Sequence, residues 1–397
     1  MISVNEADAI LNNCLLVFDE EFIPLSEAQG RILAEPITAD RDFPPFDRVM
    51  MDGIAIVYGS WKAGQRAFRI EKLQAAGDPP SSLSDVDTCM EVMTGAILPK
   101  NCDTVIRYED VEVENGYATL HDDLEILKGQ HIHRQGTDRG VGELLLHPGG
   151  FLGAAEIGIM ATVGSESVRV KGNPSIAVVA TGDELVPVNE IPEAHQIRMS
   201  NLYSIRSLLE KAGYMSAIHH IKDDRNALRE SLRKLLHDHQ VVILSGGVSK
   251  GKFDFVPGIL DELGVEKRFH FVRQRPGKPF WFGQHKHGVV FALPGNPVSS
   301  FLGTVRYVLP FLCRSAGLTP KVATATLIKD TEFSPSLTYF LQVSLKYDTS
   351  GHLLATPVPG RGSGDLANLA EADAFLELPA EQTIFKEGES FPCHLYR

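Results

Sequence analysis

Three short polar segments follow apolar runs in the middle of the chain, and their residue types suit one kind of chemistry. Thr181-Gly182-Asp183-Glu184 follows SIAVVA, Asp223-Asp224 follows AIHHIK, and Ser245-Gly246-Gly247-Val248-Ser249-Lys250-Gly251 follows VVIL, with Asp254 just beyond. If the apolar runs are strands of one parallel sheet, their carboxyl ends share a crevice, which is where ligands bind in such sheets. Glu184, an aspartate of the 223–224 pair and Asp254 then converge. Carboxylates gathered there repel each other and any phosphate. Hard oxygens in this number suit Mg²⁺, which takes one or two carboxylates together with substrate phosphates. The glycine-rich stretch adds backbone N–H groups that an anion can approach with no side chain in the way. Any one of these segments alone reads more readily as a solvated turn or helix cap; three consecutive strand ends favour a site.

Two further loops bring positive charge or fixed backbone. Arg275-Pro276-Gly277-Lys278-Pro279 holds two cations in a turn stiffened by prolines. Arginine offers a planar fork and lysine a point charge to a small oxyanion. Leu293-Pro294-Gly295-Asn296-Pro297-Val298-Ser299-Ser300 precedes the apolar segment FLGTVRYVLPFL. Its serines are expected to cap that helix and leave amide donors facing an anion.

The elements that must position these groups follow from periodicity. From Asn173 onward, buried strands alternate with amphipathic helices (NLYSIRSLLEKAGY and RNALRESLRKLLHDH), the spacing of right-handed β-α-β crossovers in a parallel sheet covered on both faces. Ser3 and Glu6 form a capping box for a helix over residues 2–18, and a second short helix is expected from Leu25 to Leu33. Residues 54–127 change to short alternating runs divided by Gly, Pro and Asp turns, an all-β pattern. A helical segment returns at Ala154–Ala161. The expected organisation is a discontinuous, mainly helical domain (1–40 and 140–170), an inserted β module (41–139), a central parallel-sheet α/β domain (171–318) and a terminal β-barrel or sandwich (319–397).

Composition narrows the partners. The chain has 397 residues, 43% hydrophobic and 22% charged, as expected of a globular multidomain protein. A net charge of −13 argues against a nucleic-acid groove. No apolar run reaches the roughly 18 residues of a membrane span, and MISVNEADAI has no basic leader, so neither a membrane anchor nor a signal peptide is expected. Five scattered cysteines without a C-x-x-C pair point to reduced thiols and a cytoplasmic setting.

Taken together, the segments closely resemble the MoeA family of molybdopterin molybdenumtransferases, also seen in the E domain of gephyrin. The matching elements, in order, are FPPFDRVMMDGIA (43–55), MTGAILP (93–99), DTVIRYED (103–110), GQHIHRQGTDRGVGELLLHPG (129–149), TGDEL (181–185), SGGVSKGKFD (245–254), RPGKP (275–279), LPGNPVSS (293–300) and GSGDLANLAEADAFLELP (362–379). The resemblance implies an elongated homodimer with the active site between one subunit's α/β domain (MogA-like) and the other's β module. It implies a Mg²⁺-dependent reaction in which adenylylated molybdopterin accepts molybdate and AMP leaves with the finished cofactor. Carried over by position, Asp52, Asp138, Glu184, Asp223, Asp254 and Lys278 are the catalytic candidates, with Glu184, Asp223 and Asp254 as metal ligands. The binding candidates are Thr94, Thr181, Gly182, Ser245, Gly246, Gly247, Ser249, Arg275, Pro294, Asn296 and Ser299. A transient contact with the molybdopterin adenylyltransferase is also implied.

The chain departs from the family pattern at Arg48, Val49 and Met50, where Asn-Ser-Ala is usual, at Arg275 in place of lysine, and at Gln342 in place of an arginine that Arg361 could replace. These changes leave open a related oxyanion such as tungstate, or a scaffold that binds molybdopterin without turnover. A phosphotransferase or nucleotidyltransferase reading lacks a G-x-x-x-x-G-K-[ST] loop, and no G-x-G-x-x-G opens a helix after a strand.

Overall fold

The computed structural model describes residues 1–248 and 255–397. Six strands form the central sheet: β1 (Ile176–Thr181), β2 (Ala217–Ile221), β3 (Val241–Ser245), β4 (Glu266–His270), β5 (Trp281–His285) and β6 (Gly288–Leu293). Their spatial order is β2-β1-β3-β6-β5-β4. The neighbours β2, β1 and β3 run parallel, as expected, and β6 extends them as a fourth parallel strand. Beyond them, β5 and β4 add an antiparallel edge to the otherwise parallel sheet.

Every residue of β1, β3 and β6 is buried, because both faces of the sheet are covered. Ile176, Val178 and Ala180 point to one core with Ile205, Leu209 and Leu302. Ala177 and Val179 point to the opposite core with Leu228, Leu232, Leu236 and Ile259. Each such large side chain contributes about 1.5–3 kcal/mol by leaving water. The two-residue alternation therefore fixes the register that brings the three polar strand ends to one edge.

The residues before the sheet build two units. Six strands form one sheet in the order Thr104–Arg107, Gly53–Ile56, Thr88–Val92, Ala67–Gln74, Tyr117–Leu120 and Val111–Glu114. Gly53 is required there: a Cβ would lie 1.9 Å from the Ile106 carbonyl oxygen. That close approach seats Asp52 at the head of its strand.

The discontinuous unit is closed by Glu20–Pro24 pairing with Ser167–Lys171, and Ile37–Thr38 with Leu144–Leu146. Its core joins Ile23 and Leu33 to Met160 and Val168. Its helical content is smaller than expected. Ala154–Thr162 is a helix, but only a 3-10 turn, Leu25–Glu27, stands where a helix was expected over 25–33. Gly30 adopts φ +80°, and Ile32 and Leu33 enter β-bridges instead. The capped first helix, Val4–Asn12, packs Val4, Ala7 and Leu11 against Phe311 and Leu312 of the α/β domain.

The terminal segment is a closed barrel. Thr338–Tyr347, Leu353–Pro357, Ala323–Leu327, Ser390–Leu395 and Ala374–Leu378 follow in spatial order, and the last pairs back to the first. The short strand Gln274–Arg275 joins the barrel by running parallel to Thr338–Tyr339. This stitches the Arg-Pro-Gly-Lys-Pro turn of the α/β domain to the barrel wall.

Candidate active site

A cleft of about 900 Å³ opens at the carboxyl ends of β1, β2 and β3, between the sheet and the barrel. Thr181, Gly182 and Glu184 line it from β1, Asp223 from β2, and Ser245, Gly246 and Gly247 from β3. Arg275 and Lys278 stand on the barrel side, and Pro294, Asn296 and Ser299 close the end. Twelve of the residues singled out from sequence thus share one cavity. Ser249 and Asp254 lie outside the described residues.

Local conformation explains how each group arrives. Asp224 is the N-cap of the helix Arg225–Asp238, accepting the Ala227 N–H at 2.8 Å. Its neighbour Asp223 is the one that lines the cleft, so the two aspartates divide a structural and a site position. Gly246 and Gly247 turn at φ +110° and +69°, the region that favours glycine. A Cβ on Gly246 would meet the Thr181 carbonyl oxygen at 2.9 Å, and one on Gly247 the Val256 Cγ2 at 2.7 Å.

The second loop corrects an expectation. Asn296 occupies the N-cap of the helix Pro297–Gly303 without a side-chain cap, and Pro297 takes the first turn. Ser299 and Ser300 are buried inside the helix, and the Ser300 hydroxyl donates back to the Pro297 carbonyl at 3.1 Å. Proline at the helix start supplies the fixed φ, so no serine cap is needed. Asn296 instead donates to the Ser363 hydroxyl at 2.7 Å, tying this loop to the Gly362–Asp365 segment.

Asn201 and Tyr339 also line the cleft, and neither carries a sequence signal of its own. Asn201, at the start of the helix Ser200–Lys211, donates to Ser245 Oγ at 2.9 Å and to the Gly295 carbonyl at 2.7 Å, bracing two cleft loops. One polar residue at a helix start leaves no periodic signal. Tyr339 lines the barrel side, and burial pushes its hydroxyl above the ordinary value despite the nearby Arg275. Gln342 is buried at the cleft wall and accepts from Asn368 at 3.1 Å.

Asp52, Thr94 and Asp138 do not line the cleft; they belong to the inserted β module. Asp52 accepts from the Thr94 backbone N–H at 2.6 Å and its hydroxyl at 2.8 Å. Those two bonds, the backbone one foremost, hold the Asp52 carboxyl below the usual aspartate range. Asp138 pairs with His133 Nε2 at 2.8 Å, and the other ring nitrogen of His133 meets Arg48 at 3.1 Å.

The donor set of the cleft suits a hard cation. Glu184 and Asp223 supply two carboxylates, the number Mg²⁺ takes alongside phosphate oxygens. Among the described residues, no group of three His, Cys, Asp or Glu stands close enough to hold a metal without such oxygens.

Family models match three consecutive stretches: the MoeA N-terminal region (domain I and II) over residues 2–164, a probable molybdopterin binding domain over 177–314, and the MoeA C-terminal region (domain IV) over 324–396. A protein of Synechocystis sp. named molybdopterin molybdenumtransferase is 39% identical over 399 residues, covering 100% of both chains. The chain belongs to the MoeA family. A Staphylococcus aureus protein of the same name is 31% identical, across 93% of this chain and 89% of its own. The crystal structure of the molybdopterin biosynthesis MoeA protein from Pyrococcus horikoshii superposes with a TM-score of 0.84 at 29% identity, covering 100% of this chain and 99% of that one. The MoeA fold thus places the probable molybdopterin binding domain around the cleft described above.

Proposed function

We propose that this cleft binds adenylylated molybdopterin, places molybdate at its dithiolene and releases AMP with the finished molybdenum cofactor. The coarser activity follows from family membership: the chain is a molybdopterin molybdenumtransferase of molybdenum cofactor biosynthesis. The observation that carries the finer reading is the opposition of charges in one cavity. Glu184 and Asp223 face it from the sheet, while Arg275 and Lys278 face it from the barrel side.

The division of labour follows from that opposition. The Gly246–Gly247 turn lets a phosphate approach the backbone closely. Arg275 and Lys278 hold the molybdate oxyanion, so that positioning and electrostatics supply most of the rate. Mg²⁺, held by Glu184 and Asp223, would offset charge developing on the phosphate. Asp254 and Ser249 are assigned to the same site by family position.

Asp52, Thr94 and Asp138 are assigned to the wall that a second subunit contributes in a homodimer. Val17, Phe22 and Phe151 of the N-terminal half are exposed at 88%, 63% and 55%, apolar side chains that a second subunit would cover. No helix among the described residues is long and apolar enough to cross a membrane, and a cytoplasmic enzyme that meets the molybdopterin adenylyltransferase transiently fits this reading. The test is Glu184→Ala and Lys278→Ala: each is expected to abolish cofactor formation with an unchanged circular dichroism spectrum and melting temperature. Full turnover in either variant would sink the assignment.

A further inference from the structure

The Arg-Pro-Gly-Lys-Pro turn presents two cations to the cleft, but a turn also carries carbonyl oxygens that would repel an oxyanion. Two of those carbonyls have a buried partner. Gln274, 2% exposed, donates from Nε2 to the Pro276 carbonyl at 3.1 Å and to the Gly277 carbonyl at 3.3 Å. Its Oε1 accepts the hydroxyl of Tyr307, which is wholly buried. A phenol hydroxyl donating to one end of the amide fixes which end faces the turn. Gly277 fits closely over this amide: a Cβ there would lie 2.9 Å from Gln274 Nε2.

Tyr307 itself sits in a π-helical turn, Thr304–Val308, inserted between Pro297–Gly303 and Leu309–Ser315. Such single wide turns redirect side chains and recur at functional sites. Here the wide turn aims Tyr307 beneath the oxyanion loop while Arg306 beside it binds Asp8 and Glu377. On its other flank, Gln274 is held by the barrel through the Thr338–Tyr339 pairing.

We infer that Gln274, oriented by Tyr307, is a positioning residue that turns the Pro276 and Gly277 carbonyls inward and so leaves Arg275 and Lys278 as the groups the turn shows to molybdate. The inference rests on the proposed role of these two cations. Neither Gln274 nor Tyr307 touches substrate in this account; both act through the turn.

The experiment uses the full-length protein with Tyr307→Phe, which removes one hydroxyl, and Gln274→Met, which keeps length and removes the amide. Molybdate dependence of cofactor formation and backbone hydrogen exchange of the peptide spanning residues 273–280 are measured for both, with melting temperatures alongside. A rise in KM for molybdate of about fivefold or more with kcat within about twofold, the effect expected of one net hydrogen bond, supports the inference when exchange of the turn also rises. The double variant should then be no worse than Gln274→Met alone, because the two residues act in series. Unchanged KM and unchanged exchange overturn it, as does an equal fall in kcat for every substrate with no change in KM. Exchange alone decides the structural claim if the unmodified enzyme shows no molybdate-dependent turnover, and that result would count against the transferase chemistry instead.

Discussion

Arg306 grips Asp8 with both terminal nitrogens, at 2.9 and 2.7 Å, across 298 residues of sequence. The same guanidinium reaches Glu377 at 2.8 Å through Nε, and Glu377 in turn holds His394 at 2.7 Å. One buried cation therefore joins the first helix, the α/β domain and the barrel. The barrel carries one wall of the cleft, so this hub ties that wall to the α/β domain.

Removing the cation should loosen all three units together. Arg306→Met leaves two carboxylates without their partner, a loss of about 3 kcal/mol, near the low end for such pairs because the Asp8 side chain is 27% exposed. Chemical denaturation would show this as a lower midpoint. A midpoint equal to the unmodified protein would contradict the hub.

The hub also predicts a pH window. Burial alone would raise the Glu377 carboxyl, but the His394 hydrogen bond and the Arg306 charge outweigh it and bring the pKa down from 4.5 to about 2. A depressed carboxyl contributes stability that is fully present above its unfolded value and is lost as pH falls through the folded one. The stability advantage of the unmodified protein over Glu377→Gln should therefore shrink between about pH 4.5 and 2. Denaturation midpoints measured across that range would show it. An advantage that stayed constant would place the interaction elsewhere.

Gly246→Ala should cost about 1–3 kcal/mol, because alanine must adopt φ +110° and its Cβ meets the Thr181 carbonyl oxygen at 2.9 Å. The same strain moves the amides of the glycine turn, so nucleotide affinity should fall with stability. Calorimetry with AMP checks the second effect; unaltered affinity would mean the turn does not cradle phosphate.

Much of this site was legible because buried parallel strands write themselves as apolar runs, and their polar ends then had to share an edge. Glu184, Gly246 and Gly247 came from that rule alone. Asp223 could not be separated from Asp224 by periodicity, since only the cap bond to Ala227 distinguishes them. The bond between Asp52 and Thr94 spans 42 residues, and that between Gln274 and Tyr307 spans 33, with no local pattern in either case. The helix expected at 25–33 failed for a local reason: Gly30 turned the chain to φ +80°, and Ile32 and Leu33 found β partners.

The β-module wall can be tested through Asp52. Thr94→Val removes the weaker of the two bonds that hold its carboxyl low, so the folded pKa should rise toward the ordinary value. An ionised Asp52 would then be lost at higher pH, and the acid limb of kcat/KM should move upward. An unmoved limb would remove Asp52 from the site.

The proposed sharing of the site between two subunits makes a separate prediction. Asp52→Ala and Glu184→Ala, each expected to be inactive alone, should recover activity when coexpressed. Random pairing gives half heterodimers with one intact site each, or about a quarter of full activity. No recovery would confine the site to one chain.

The most direct test of the central claim is release of AMP from adenylylated molybdopterin by the purified protein, measured with molybdate and Mg²⁺ supplied together, singly and not at all. The proposed transferase chemistry requires release with cofactor formation only when both are present. Release that ignores molybdate, or nucleotide binding with no release under any condition, would contradict it.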